Sequence, residues 1–80
     1  MSLLLSDKTI DGNVRILSMD LPEKIISKLD VIGIYKGSII KIIQEECTKN
    51  IIVFEINNIR YGIRVKDAKN IVVKKENYNE

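Results

Sequence analysis

Two arginines, Arg60 and Arg64, stand four positions apart with Gly62 midway between them. In an extended strand, alternate residues point to the same face, so both guanidinium groups would lie on one side of a sheet. Guanidinium groups pair readily with carboxylates. The pattern predicts either a basic strip that binds an acidic partner surface or a sheet face that is only solvated. Gly62 fits either a close approach by another backbone or relief of crowding in a curved sheet.

Catalytic and metal-binding side chains are scarce. The chain has no histidine and one cysteine, Cys47, so the usual general base and the commonest metal ligand are both missing. We therefore predict no enzyme activity, no catalytic residues, no cofactor and no resident metal site. Glu45 and Glu46 are adjacent in a predicted strand and are expected to point to opposite faces. Cys47 is expected to be a bystander thiol, with weak iron binding or oxidation as the alternative.

Length and composition indicate one folded domain. The chain has 80 residues, of which 45% are hydrophobic and 30% charged, with a net charge of +2 and no block of like charge. We predict a single domain over residues 1–75 and a frayed tail over 76–80. No apolar run is long enough for a membrane helix, and the N-terminal stretch lacks the features of a signal peptide. The expected location is the cytoplasm, which suits a lone cysteine.

An amphipathic helix is predicted near the start of the chain. Asp20 and Glu23 have the spacing of a capping box, with Asp20 as the N-cap residue. Gly33 is expected to end the helix in a left-handed conformation, and Gly37 is expected to serve a second turn. The apolar face of this helix consists of Ile25, Ile26, Leu29 and Ile32.

Short extended segments account for most of the remaining sequence. Asn57 and Asn58 are predicted to form a two-residue hairpin turn, because asparagine tolerates positive φ. The leucines at 3–5 are expected to cover one end of the fold, and residues 66–69 to form one turn of 3₁₀ helix. The predicted strands span residues 14–18, 38–46, 51–56, 59–65 and 71–73. The pattern favours a mainly β fold: a small, partly open β-barrel of about five strands, with one α-helix inserted after the first strand.

The connection between the helix and the second strand carries Ile34 and Tyr35. An exposed tyrosine in such a loop is a typical anchor for a protein partner. The alternative is that Tyr35 packs over the end of the barrel, and the same two interpretations apply to Ile34.

An ordered set of positions resembles one family. The set consists of Leu29, Gly33-Ile34, Gly37-Ser38, Ile63-Arg64, Ala68, and Ile71 with Val73. It is similar to the FeoA-type accessory proteins of bacterial ferrous iron transport, and the resemblance covers about residues 3–74. Lys36 departs from the family pattern, in which proline commonly precedes the second glycine and presets φ.

The resemblance implies an SH3-like small barrel and a function as an adaptor. It implies a cytoplasmic protein that assists ferrous iron uptake by binding the cytoplasmic G-protein region of the FeoB transporter. The candidate partner-binding residues are Arg60, Arg64, Tyr35 and Ile34, and the structural turn residues are Gly33, Gly37 and Gly62. No direct membrane insertion is expected, and weak homo-oligomers are compatible with the sequence.

Two alternatives belong to other functional classes. The same domain type occurs at the C-terminus of iron-dependent repressors of the diphtheria toxin repressor family, so a stand-alone module that regulates a metal-dependent repressor is one alternative. No helix-turn-helix segment precedes the domain in this sequence, so a whole repressor is not expected. Nucleic-acid binding is the other alternative, and the aromatic content of 5% counts against it because such barrels present stacking aromatics.

Overall fold

Six antiparallel strands form one sheet in the computed structural model, which describes residues 2–76. The strands are β1 (Leu3–Leu4), β2 (Gly12–Met19), β3 (Ile39–Ile42), β4 (Ile51–Ile56), β5 (Ile59–Arg64) and β6 (Ile71–Lys75). The helical segments are α1 (Glu23–Ile32), a 3₁₀ turn (Gln44–Glu46) and α2 (Val65–Ala68). The strand order is β1-β6-β2-β3-β4-β5, so β1 and β5 are the two edges and the barrel stays open between them.

The predicted mainly β fold, with one helix after the first long strand, is confirmed. The strand count rises to six because Leu3 and Leu4 pair with Val73 and Val72 of β6. A two-residue strand is too short to show alternation, so its sequence carries no strand signal. The leucines therefore form an edge of the sheet, and Leu5 enters the core beside it.

The core is built from inward-facing aliphatic residues of every long strand, together with Leu29 of α1 and Ala68 of α2. Phe54 is its largest member and is fully buried, with its ring stacked on Tyr61 at a centroid distance of 5.7 Å. Among the described residues, no polar or charged side chain is buried in this core. Its fully buried strand residues are Val14, Ile16, Ile40, Ile42, Phe54, Ile71 and Val73.

Helix α1 confirms the predicted C-terminal end and corrects the N-terminal end. Gly33 has φ 104°, and the N–H of Ile34 donates to the carbonyl of Leu29 at 2.8 Å, which closes the last turn. The predicted capping box at Asp20 is wrong, because Pro22 is the N-cap residue and no side chain caps the helix. The Asp20 N–H instead donates to the Asn70 carbonyl at 2.8 Å, which ties this residue to the chain just before β6.

The segment after β3 also differs from the prediction. The extended run ends at Ile42, and Glu45 and Glu46 lie in the 3₁₀ turn rather than on opposite faces of a strand. Gln44 explains the change, because its side-chain amide donates to the Ile10 carbonyl at 2.6 Å and its N–H donates to Asp11 Oδ1 at 3.1 Å. These tethers to a distant loop bend the chain out of the sheet.

The predicted asparagine hairpin is confirmed, with φ 52° at Asn57 and 67° at Asn58. This turn fixes the register of β4 and β5, from Ile56 opposite Ile59 to Ile51 opposite Arg64. The register therefore determines which β4 side chains flank the two arginines of β5.

The last described residue is held by the sheet. Glu76 forms a two-pronged ion pair with Arg15 at 3.1 Å, and its N–H donates to the Asn13 carbonyl at 3.0 Å. Hydrogen bonding from Arg15 lowers the pKa of Glu76 in the folded protein. The pair therefore stabilises the fold at pH values above the usual glutamate pKa of about 4.3. This stabilisation is lost as the pH falls through the lowered pKa of the folded state. The rest of the predicted frayed tail, residues 77–80, lies outside the described residues.

Candidate functional site

The exposed face of β5 carries the predicted pair of arginines. Arg60, Gly62 and Arg64 are all exposed, whereas Ile63 between them is buried and Tyr61 is half-buried. The register places Glu55, Val53 and Ile51 of β4 opposite the three exposed residues. We call this surface the β5 outer face: Ile51, Val53, Glu55, Arg60, Gly62 and Arg64.

The charge of Arg60 is compensated within the protein. Its guanidinium group pairs with Glu46, and its Nε donates to Glu55 Oε1 at 3.3 Å. These hydrogen bonds, first to Glu46 and then to Glu55, raise the pKa of Arg60 above its usual value. The Arg60 end of the face is therefore a mixed ion-pair cluster. The sequence does not indicate this cluster, because its pattern predicts that Glu46 lies in a strand.

Arg64 has a different setting at the other end of β5. Its Nε and Nη2 donate to Asp67 Oδ2 at 3.2 and 3.1 Å, and its side chain is 59% exposed. It lies on the wall of an open groove of about 450 Å³. We call this the basic groove, and its lining residues are Lys49, Asn50, Ile51, Arg64, Val65, Lys66 and Lys69.

The three lysines of the basic groove were not predicted as site residues. Lys49 comes from the turn before β4, whereas Lys66 and Lys69 come from α2 and the residue after it. The N–H of Val65 donates to the Asn50 carbonyl at 2.8 Å and joins these two segments. This bond and the pairing of Ile51 with Arg64 bring the lysines to one groove, and no spacing in the sequence signals it.

Gly62 has ordinary strand geometry, since the glycines with positive φ are Gly12, Gly33 and Gly37. A Cβ at Gly62 would lie 3.0 Å from Cγ2 of Ile51. This contact supports relief of crowding as one role of Gly62. Without a side chain at Gly62, the half-buried Ile51 keeps part of its aliphatic surface on the β5 outer face.

The loop after α1 separates the other two predicted partner-binding residues. Ile34 is fully buried, so the prediction that it contacts a partner is wrong: the closing turn of α1 points its side chain into the core. Tyr35 is 50% exposed, and its N–H and carbonyl both bond the Ser38 hydroxyl, at 3.1 and 2.8 Å. Partner binding by Tyr35 stays a prediction.

Cys47 has a structural setting. Its half-buried Sγ accepts the Val53 N–H at 3.2 Å and lies 3.5 Å from the Ile43 carbonyl, to which it donates. The thiol thus fastens the 3₁₀ turn to β4. Within residues 2–76, no three metal-ligating side chains gather into a group that would hold an ion.

The described part of the chain also has no helix with the length and hydropathy needed to cross a bilayer.

Comparison with known families identifies the domain. A family model described as the FeoA domain matches residues 3–75. The chain belongs to the FeoA domain family. This family consists of non-catalytic accessory domains, and membership supports a small accessory protein in ferrous iron uptake.

Solved structures of FeoA proteins share the fold. A crystal structure of an iron uptake regulatory protein (FeoA) has a TM-score of 0.77 at 19% identity, over 92% of this chain and 97% of that one. The solution structure of FeoA from Chlorobium tepidum has a TM-score of 0.80 at 18% identity, over 98% of this chain and 74% of that one. A FeoA-like protein from Clostridium acetobutylicum has a TM-score of 0.72 at 21% identity, over 99% and 94%. These likenesses confirm the SH3-like fold. Comparison with curated proteins gave no significant match.

Proposed function

We propose that this FeoA-domain protein works in the cytoplasm as an adaptor that binds the cytoplasmic part of a FeoB-type membrane iron transporter. The observation that carries the proposal is the FeoA family match over residues 3–75. The protein acts by holding its partner, and the β5 outer face is the proposed contact surface.

The build of the β5 outer face supports this role. Its arginine side chains are half or more exposed, at 50% for Arg60 and 59% for Arg64. Arginines that flank uncovered aliphatic surface are a common composition at protein interfaces. The hairpin register and the side-chain ion pairs hold both arginines in place, so less ordering entropy is lost on binding than with free side chains.

Nucleic-acid binding has less support from the side chains. Tyr61 is half-buried, with its ring stacked on buried Phe54. Among residues 2–76, Tyr35 is the aromatic side chain that is exposed, and it lies in the loop after α1. Single-strand binding surfaces use several exposed aromatics, so the adaptor role is favoured. A metal-dependent repressor remains the alternative partner for the same surface.

The double variant Arg60→Ala/Arg64→Ala is expected to bind the FeoB cytoplasmic region about five- to tenfold more weakly than the wild type, because it removes two rim guanidinium groups. More of the loss should come from Arg64, since Arg64 is paired with one carboxylate and Arg60 with two. Isothermal titration with the purified cytoplasmic region measures the effect.

The matched control is Lys24→Ala/Lys36→Ala, which removes two exposed cations from α1 and its following loop. Binding by this control should stay close to that of the wild type. Equal affinities for the wild type and the arginine variant would contradict the proposal that the β5 outer face contacts the transporter. No binding by the wild type would contradict the adaptor role itself.

A further inference from the structure

The basic groove concentrates positive charge that the protein does not use internally. Lys49, Lys66 and Lys69 are exposed, and within residues 2–76 none of them forms an ion pair with a carboxylate. No acidic side chain lines the groove. Asp67 is committed to Arg64, with only 14% of its side chain exposed. The net charge of the whole chain is only +2, so the three lysines form a local excess.

The groove also has an apolar floor. Ile51 and Val65 are half-buried and line it between the cationic walls. The missing side chain at Gly62 leaves room beside Ile51, since a Cβ there would lie 3.0 Å from the isoleucine Cγ2. A ligand that fits this groove therefore carries acidic groups around an aliphatic group.

Hydrogen bonds hold the backbone that presents the groove residues. Thr48 Oγ1 accepts the N–H groups of Asn50 and Ile51 at 3.2 and 3.1 Å, which shapes the turn that presents Lys49. The bond from the Val65 N–H to the Asn50 carbonyl joins this turn to α2. A backbone that is already held in place lowers the entropy cost of binding.

The shape and chemistry select the kind of ligand. Most of the lining residues are exposed, whereas pockets for small molecules bury about 70–90% of their ligand. Asp67 already accepts from Nε and Nη2 of Arg64, which leaves that guanidinium fork unavailable for bidentate binding of free phosphate. No aromatic side chain lines the groove to stack on a base. A peptide segment supplies both carboxylates and an aliphatic side chain.

We propose that the basic groove binds an acidic segment of a protein partner, with carboxylates on the three lysines and one aliphatic side chain over Ile51 and Val65. The identification of that partner as the iron transporter rests on the proposed function. The chemistry of the segment rests on the groove alone.

The test uses the full chain labelled with ¹⁵N and a short capped peptide of aspartate and glutamate around a central leucine. This peptide should shift the backbone amides of residues 48–51 and 64–69. A matched peptide with asparagine and glutamine in place of the acids should bind about tenfold more weakly, and the difference should shrink with added salt. Inorganic triphosphate and vesicles of phosphatidylglycerol are titrated in parallel.

Two triple variants locate the effect. Lys49→Gln/Lys66→Gln/Lys69→Gln should weaken the acidic peptide about tenfold, from three exposed charge pairs. The control Lys24→Gln/Lys36→Gln/Lys74→Gln changes the net charge equally at exposed positions outside the groove and should leave affinity within about twofold. Melting temperatures check that both variants fold, and the peptide comparison on the wild-type chain holds independently of them.

The proposal is overturned if the two peptides bind equally or if the shifts lie at another surface. It is also overturned if triphosphate or vesicles bind the groove and the acidic peptide does not. These measurements do not include the transporter, so they test the groove separately from the adaptor role. If the peptide binds the groove but the FeoB cytoplasmic region does not bind the protein, the adaptor role is refuted and the groove remains a site for acidic segments.

Discussion

Replacing Phe54 with alanine should lower the free energy of unfolding by about 3–5 kcal/mol, the usual cost of deleting a buried aromatic ring. Phe54 is fully buried in the centre of β4 and is the largest of the fully buried side chains. Its loss leaves a cavity and removes the stacking partner of Tyr61, whose ring centroid lies 5.7 Å away. Because small domains have total stabilities of about 5–15 kcal/mol, this loss is a large share of the free energy of unfolding.

Urea unfolding followed by circular dichroism measures this change. The matched control is Ile59→Ala at the start of β5, where the side chain is 54% exposed. The control should cost less than about 1 kcal/mol, because most of the removed surface is already in water. Similar midpoints for the two variants would contradict the burial of Phe54 in the core.

Replacing Gly33 with valine should destabilise the protein by about 2–4 kcal/mol, from backbone strain together with a local clash. Gly33 has φ 104° and ψ 9°, a conformation that β-branched residues avoid. A Cβ at this position would lie 3.4 Å from Cγ2 of Ile56, so the added methyl groups would press on the end of β4. The hydrogen bond from Ile34 to Leu29 that closes α1 depends on this turn.

Thermal unfolding compares Gly33→Val with Arg60→Ala. Arg60 is exposed, so its removal should lower the melting temperature far less than Gly33→Val does, even with two ion pairs lost. Gly33→Asn should fall between the two, because asparagine tolerates positive φ. Equal melting temperatures for the valine and arginine variants would contradict the role assigned to Gly33.

Features set by neighbouring residues were predictable from the sequence. The end of α1 at Gly33 and the hairpin at Asn57-Asn58 each need a particular backbone conformation, and the residue types reveal it. The alternation along β5 correctly placed Arg60 and Arg64 on one exposed face. These signals act over a few residues, so they do not depend on the rest of the fold.

Features set by distant contacts were not predictable. Gln44 leaves the sheet because of its bonds to Ile10 and Asp11, and this bend carries Glu46 to Arg60. The lysines of the basic groove meet because the hairpin register and one backbone bond bring two turns together. Ile34 looked like a loop residue, yet the closing bond to α1 directs it into the core. In each case the deciding partner is remote in the chain, where local patterns carry no information.

The proposed role of this protein is to hold the cytoplasmic part of an iron transporter against the β5 outer face. Its most direct test is a titration of the ¹⁵N-labelled full chain with the purified FeoB cytoplasmic region, followed by amide chemical shifts. We expect saturable shifts at residues 48–51 and 59–69, with β2 and β6 unchanged. Shifts centred on β2 and β6, or no change at saturating transporter, would contradict it.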